Sequence, residues 1–563
     1  MIRDTEALAK QRFDVIIIGG GITGACLAHD AALRGLKTAL VEKDDFGGFT
    51  SAASSKLLHG GIRYLQSAQL HKVRESSRER TFFQIIAPHL TRYVPFIVPT
   101  VSGGLMKGKL ALIVGMRLYN LLGCGLKHKI HDVSKKLPEG GFFSKDAIMR
   151  RVPDLQAVKG LNGGYIFPES HIINSERMTL AFLKTASANG AQIANYVRVE
   201  EFLIQNGHVT GVKVRDKIAD ASFNIKGKIV VNAAGPHIPE LNRKLRQLHL
   251  DKAATGFSKG VHLVTRQVNS QYAITLATPK KTEGLITRGG RHFFIIPWRG
   301  RSLIGTTNVP FNQKPDEVTV TRKDIQDFLD DINQALPELH LTSEDIYYAF
   351  AGLYPLTTQN IKTDTYQGTG EYQIADHSRS DGLEGVITVL GAKYTTARKV
   401  AEKAVDLIVQ KLGVSTEKCQ THSKPLTDGN IPDLKAFIRK KQAKYGRYLK
   451  PDIIDHLICH YGCGIDDLTD QAIATPVLLE RLTPDRKNIA AEIYHAVKNE
   501  MALTLEDAVF RRTGLGTVGH PGEKALAQAA QIMADLLDWD AARCELEIGK
   551  VNNRYKALST QAC

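Results

Sequence analysis

Cysteine is scarce in this chain, with seven residues in 563 and no regular spacing among them. That excludes a disulfide framework and reads as reduced thiols in a reducing compartment. No run of 18 apolar residues occurs, so no segment is long enough to be expected to span a bilayer. The longest candidate, Leu110 to Leu122, is too short and contains Arg117. The opening stretch MIRDTEALAKQRFDV lacks an apolar h-region, so no signal peptide is expected. Internal repeats and low-complexity tracts are also missing. Hydrophobic residues make up 43% and charged residues 23%. These are globular proportions, which exclude collagen-like, mucin-like and wholly disordered classes. The length suits about two to four domains.

What the chain has in excess is positive charge. Lys and Arg number 74 against 58 Asp and Glu, a net charge of +16. Such an excess favours an anionic partner: nucleic acid, an acidic lipid surface or a phosphorylated substrate.

The first forty residues hold the clearest local signal. Arg12-Phe13-Asp14 leads into Val15-Ile16-Ile17-Ile18, a β-branched run typical of a strand buried on both faces. Gly19-Gly20-Gly21-Ile22-Thr23-Gly24 follows and matches G-x-G-x-x-G. Residues Ala25 to Arg34 then read as a helix that stops at Gly35, and Thr38 to Val41 read as a second strand ending at Glu42. Gly19 permits the tight turn. Gly21 lets backbone approach a pyrophosphate, and Gly24 lets helix pack on strand. The N-terminus of that helix faces the diphosphate, and Ile22 and Thr23 are among the expected cofactor contacts. Glu42 can accept hydrogen bonds from both ribose hydroxyls and would repel a 2′-phosphate, which argues against NADP.

Residues 50–65 read TSAASSKLLHGGIRYL. Further motifs follow in order: Asn232-Ala233-Ala234-Gly235-Pro236, Lys259-Gly260-Val261-His262, Ile295-Ile296-Pro297-Trp298 with Ile304-Gly305-Thr306-Thr307, and Gly391-Ala392-Lys393-Tyr394-Thr395-Thr396. Near the end stands Arg511-Arg512-Thr513-Gly514-Leu515-Gly516. Together these resemble the FAD-dependent glycerol-3-phosphate dehydrogenases and oxidases, within the D-amino-acid-oxidase-like flavoprotein superfamily. The resemblance covers nearly the whole chain.

The resemblance implies an α/β fold with a discontinuous Rossmann-type FAD-binding domain over 12–90, 165–257 and 375–415. A substrate domain built on an antiparallel sheet would take 91–164 and 258–374, and a helical accessory domain 425–563. Local patterns agree. Ser175 can cap a helix running to Gly190, and Phe202 to Gln205, Asn206-Gly207 and His208 to Val214 make an Asn-Gly hairpin. His292 to Trp298 and Ser302 to Thr307 read as strands, with a helix near 323–336.

Further FAD contacts are implied by the resemblance. Lys43 follows the ribose acid. Ser51, Ser54, Ser55 and Lys56 form a small-residue loop, with Leu58, His59, Gly60 and Gly61 after it. Val197, Ala233, Ala234 and Gly235 would close one side, and Gly391, Lys393, Tyr394 and Thr395 the other. Removing a hydride from carbon needs a base at the adjoining hydroxyl, and an anionic substrate needs cationic donors. By resemblance His262 is the expected base, with Lys393 as rival at the start of a helix. Arg63 and Lys393 are the expected anion anchors, and Arg63, His262 and Lys393 together make up the catalytic set. Arg63 and Tyr64 would face substrate beside the flavin. The family usually carries a substrate-contacting arginine in the segment Phe350 to Leu356, where this chain has Tyr354. A phenol has no charge and cannot form a bidentate fork. Arg379 downstream can compensate, or the substrate is a different hydroxy acid, polyol derivative or amine.

Two further features compete for attention. His456, Cys459, His460 and Cys463 would share a helix face, yet lack a standard zinc spacing, and no metal site is expected. Residues 107–151 hold ten Lys and Arg and three Asp and Glu around the apolar run. Leu105, Met106, Leu112, Ile113, Met116, Leu118 and Tyr119, flanked by Lys107, Lys109, Lys127 and Lys129, are the expected peripheral membrane contact within 105–130. The family's usual electron acceptor, a membrane quinone, fits that. The expected location is the cytoplasm, or the cytoplasmic face of the inner membrane. A homodimer is left open. With no block of five like charges and no aromatic-basic interleaving, nucleic acid ranks last among the anionic partners.

Overall fold

The β-branched run at residues 15–18 forms the C-terminal half of the strand Arg12–Ile18, which pairs in parallel with Thr38–Val41 on one side and Ala221–Asn232 on the other. The computed structural model describes residues 1–67, 69–101, 109–123, 125–245, 256–278, 292–356, 372–391 and 393–558. Within these, the first sheet runs Gln373–Asp376, Val386–Leu390, Ala221–Asn232, Arg12–Ile18, Thr38–Val41, Gln192–Ala194. Every pair along this path is parallel except the first. Val15 and Ile17 pack with Ala25, Ala28, Met178 and Val400 from the helices Ile22–Leu33, Ser175–Ala188 and Ala397–Leu412. Ile16 and Ile18 point to the other face, against Val212 and Val214. This alternation with apolar cover on both faces is why the strand reads as continuously hydrophobic.

The expected hairpin joins Val197–Gln205 to His208–Asp216, with Asn206 at φ 49° and Gly207 at φ 74°. Both turn residues need the left-handed region, which an Asn-Gly pair supplies. One cap shifts by a residue: Asn174, not Ser175, caps the helix, its Oδ1 accepting from the amides of Glu176 and Arg177.

The second sheet is mainly antiparallel. Gly256–Thr265 pairs with Ile346–Leu356 and with Arg301–Gly305, which pairs on with His292–Trp298. Thr91–Val101 pairs with Leu161–Ile172 over most of their length. Leu161–Ile172 runs through the expected boundary at 164/165 and belongs wholly to this sheet. The helix expected near 323–336 is Arg322–Ala335, closed by a Thr321–Asp324 capping box.

Helices then dominate from Leu434 to Asn553. The apolar run near 110–122 forms the helix Lys109–Leu122. Its faces differ from the expectation. Met116 and Tyr119 are buried, and Leu112 and Ile113 pack on the core, so they cannot form an outer surface. The exposed apolar residues are Val114 (66%), Leu118 (37%) and Leu121 (69%), one stripe at helical spacing. Leu105 and Met106 lie outside the described residues. No described helix is long and apolar enough to cross a membrane.

Candidate active site

The glycine turn between the first strand and helix is sterically forced. Gly19 holds φ 108°, and a Cβ there would lie 2.7 Å from the Ala233 carbonyl oxygen. A Cβ on Gly24 would lie 1.9 Å from the Gly19 carbonyl oxygen. The helix starts within the motif, at Ile22, with Gly21 as a cap that offers no side chain. Ser51 Oγ accepts from the Ile22 amide at 2.9 Å. Gly391 comes so close that a Cβ would stand 2.4 Å from Thr23 Oγ1. Donor-rich helix end, bare backbone and close approach together fit the diphosphate of FAD.

Glu42 follows the second strand. Its Oε2 accepts from the Gly20 amide at 2.7 Å and its Oε1 from the Asp44 amide at 2.9 Å. Burial pushes its carboxyl up to about 7, against the pull of those two amides. The folded protein therefore holds a proton that the unfolded chain has released. This group's contribution to stability is present below its ordinary 4.5 and is lost as pH rises through 7. If ribose hydroxyls donate to Glu42 they favour its ionised form, and FAD binding would then expel that proton. The affinity of the apoprotein for FAD is expected to rise up to about pH 7 and then level off. Flavin-fluorescence titrations across that range test this, and Glu42→Gln should remove the slope.

A cavity of about 1020 Å³ begins at this turn. Gly19, Gly21, Ile22, Thr23, Glu42 and Lys43 line it, followed by Ser51, Ser54, Ser55 and Lys56. Val197, Ala233, Ala234, Gly235, Gly391, Lys393 and Tyr394 line it too. The second sheet roofs it. Period two puts Ser258, Gly260 and His262 on one face of their strand, and all three line the cavity.

His262 is built in from three sides. It lies opposite Gly305 on one neighbouring strand and Phe350 on the other. A Cβ on Gly305 would stand 2.1 Å from its ring, and Phe350 stacks on it at 5.0 Å with 12° between planes. Ser55 Oγ lies 2.9 Å from Nε2, whereas Nδ1 is buried with no hydrogen-bond partner among the described residues. Burial, with repulsion from Lys56, lowers its pKa to about 3, so the imidazole is neutral at working pH. Lys393 places its ammonium 3.9 Å over the Tyr64 ring, which joins two expected substrate segments. It precedes its helix, which begins at Ala397, instead of opening it.

The other expected residues divide between the cavity wall and its surroundings. Tyr354 lines the cavity opposite Ser258. Arg379 does not compensate for it: it lies on the short helix His377–Ser380, its side chain 76% exposed and turned to Asp376. Leu58, His59, Gly60, Gly61, Gly24 and Thr395 are not among the described residues that line the cavity. Leu57–Leu58 is instead a two-residue strand paired with Ser170 and His171, and the Gly60 amide donates to Glu169. Lys56 lines the cavity but directs its ammonium to Glu176 at 2.8 Å and to Ser175 Oγ. Lys43 pairs with Asp316 and Asp44. Arg63 belongs to the turn Ile62–Ser67, and its side chain lies outside what is described.

The metal-capable residues do not share one helix face. Their helix is Pro451–Tyr461, ended by Gly462 at φ 53°, and Cys463 falls on the next turn. His456 Nε2 lies 3.1 Å from Glu492, and His460 Nδ1 donates to the His456 carbonyl. Sequence reasoning missed Phe350, which only strand register brings to His262. Gly305 stands in the motif Ile304-Gly305-Thr306-Thr307, and a glycine inside a strand signals a close neighbour.

Three comparisons with known proteins bear on this site. The family model for FAD dependent oxidoreductases of the DAO type matches residues 14–398, and that for the C-terminal domain of alpha-glycerophosphate oxidase matches 419–544. A glycerol-3-phosphate dehydrogenase of Synechocystis sp. is 32% identical over 100% of this chain and 99% of its own. An aerobic glycerol-3-phosphate dehydrogenase of Staphylococcus aureus is 31% identical over 98% of this chain and 95% of its own. Among solved structures, the glycerol-3-phosphate dehydrogenase from Bacillus halodurans complexed with FAD superposes with a TM-score of 0.74 at 26% identity, covering 99% of this chain and 97% of that one.

Proposed function

Because the chain belongs to the FAD-dependent glycerol-3-phosphate dehydrogenase and oxidase family, we propose that it oxidises sn-glycerol 3-phosphate to dihydroxyacetone phosphate. FAD is its cofactor, and when bound it would supply a two-electron hydride acceptor. His262 accepts the C2 hydroxyl proton at Nε2, the nitrogen that already faces a hydroxyl at Ser55. The hydroxyl loses its proton and the carbon its hydride, which leaves the ketone. A buried imidazole resists charge, and the anionic phosphate brought in by the substrate makes protonation easier. Lys393 and Arg63 hold that phosphate, with Tyr64 beneath the ammonium. The observation that carries this reading is His262, seated in the roof of the FAD cavity with its ring fixed by Ser55 and Phe350.

Tyr354 is the place where the substrate class is in play. Steady-state assays with a dye acceptor, comparing glycerol 3-phosphate with glycerol, hydroxy acids and amines, test the class. A kcat/KM highest for glycerol 3-phosphate supports the proposal, and a higher value for an amine or hydroxy acid overturns it. Tyr354→Arg is expected to lower the KM for glycerol 3-phosphate by about 10-fold, the worth of one added charged hydrogen bond.

The electrons go on to a membrane quinone in this reading. The exposed stripe Val114, Leu118 and Leu121, with exposed Arg117, Lys127 and Lys129 beside it, suits a peripheral site on anionic lipid. Co-sedimentation with anionic but not neutral vesicles, released by salt, is the expected outcome. Binding indifferent to lipid charge contradicts it.

A further inference from the structure

We propose that the C-terminal helical domain is a clamp that retains FAD, acting through Arg511 and Arg512 on Asp45. The proposal concerns the cofactor site alone and stands whichever substrate is oxidised.

Asp45 lies three residues after Glu42, in the loop that borders the cavity. That loop is tied to the glycine turn twice. Glu42 accepts from the Gly20 amide, and the Gly47 amide donates to the Gly20 carbonyl at 3.0 Å. It is also tied to the neighbouring strand: the Tyr196 amide donates to Asp44 O at 2.9 Å and the Val197 amide to Glu42 O at 2.8 Å. A shift of this loop therefore moves both the ribose acid and the diphosphate turn.

What holds the loop from outside is the other end of the chain. The Asp45 side chain is 1% exposed and fully engaged. Its Oδ1 accepts from Arg512 Nη2 at 2.7 Å and Asn195 Nδ2 at 3.0 Å. Its Oδ2 accepts from Arg511 Nε at 2.6 Å and Arg512 Nη1 at 2.8 Å. Both arginines sit on the turn Asp507–Arg512 of the C-terminal domain. Arg512 Nε donates to the Glu500 carbonyl, and Arg511 Nη2 reaches Asp507. Asp507 accepts from Tyr196 OH at 2.7 Å, which closes the ring of contacts on the cofactor side. Arg511 itself lines the cavity, as do Thr504 and Phe510 from the same domain.

Stability alone does not account for this cluster. Two Arg and two Asp removed from water gain little net energy, and apolar side chains of like volume would serve about as well. What a bidentate fork adds is position. Burial would raise the Asp45 carboxyl, but Arg512 and Arg511 pull it below the usual carboxylate range, so the clamp stays charged at working pH.

The test uses the full chain stripped of FAD and titrated with FAD by flavin fluorescence. Asp45→Asn is expected to raise the Kd for FAD by about 10-fold or more, within the usual range of coupling between two sites. Arg512→Lys keeps the charge, loses the fork, and should fall between wild type and Asp45→Asn. If Asp45→Asn melts at a lower temperature yet binds FAD as wild type does, the cluster is only an interface and the proposal fails. Should the variant not fold, the wild-type protein still decides. Coupling is reciprocal, so FAD must slow amide hydrogen exchange across residues 503–513 if the clamp exists. Exchange there that is the same with and without FAD overturns it.

Discussion

His262→Ala lowers kcat by about 10²- to 10⁴-fold, the usual contribution of a positioned general base, and leaves one flavin per chain. The two parts of that result belong together. His262 lines the cavity from the second sheet, whereas the glycine turn and Glu42 belong to the first, so losing the imidazole should not release FAD. Added imidazole should restore part of the rate, which a merely structural role would not allow. The pH profile is a second check. With its pKa depressed to about 3, His262 does not titrate near its ordinary 6.5, and kcat/KM should show no limb there from this group. The same depression weakens the fold as pH falls from 6.5 towards 3, because the unfolded imidazole takes up a proton that the folded one refuses. Lys393→Met separates the rival bases. If His262 is the base, Lys393→Met mainly raises KM. If Lys393 is the base, it is kcat that collapses in Lys393→Met, and His262→Ala that mainly raises KM.

Gly24→Ala yields protein without flavin. A methyl group 1.9 Å from the Gly19 carbonyl oxygen cannot be relieved by a side-chain rotation, because the obstacle is backbone. The helix must lift off the strand, and the diphosphate turn opens with it. Gly35 is the control. It holds φ 79° at the end of the same helix, and a Cβ there meets nothing within 4 Å among the described residues. Gly35→Ala should cost only about 1–2 kcal/mol of stability through its left-handed backbone and keep its flavin. Flavin absorbance per protein, measured beside thermal unfolding, separates the two. A flavin-replete Gly24→Ala would contradict the close packing described here.

How much of this was legible in the sequence depends on the distance over which each signal acts. The strand–turn–helix–strand unit could be read because Gly19, Gly21, Gly24 and Glu42 lie within one short stretch whose geometry is local. His262 was marked by its motif, but its setting was not. Phe350 and Gly305 reach it through strand register, which spacing alone does not disclose. A charge in sequence carries no direction, and Arg379 lies exposed on the surface, 3.7 Å from an aspartate three residues earlier. Leu58 to Gly61 resembled a cofactor loop, yet partners more than a hundred residues away, Ser170, His171 and Glu169, turn them into a strand end. In the helix Lys109–Leu122 the apolar residues serve two faces, and only packing tells the buried Met116 and Tyr119 from the exposed Val114 and Leu121. Asp45 carried no signal at all, since its partner stands 467 positions further on.

The most direct measurement is an anaerobic titration of the flavin-replete protein with sn-glycerol 3-phosphate. The flavin is expected to bleach, with one dihydroxyacetone phosphate formed per flavin reduced. His262→Ala should reach the same end point far more slowly. A flavin that stays oxidised with glycerol 3-phosphate but bleaches with an amine or a hydroxy acid would contradict the account.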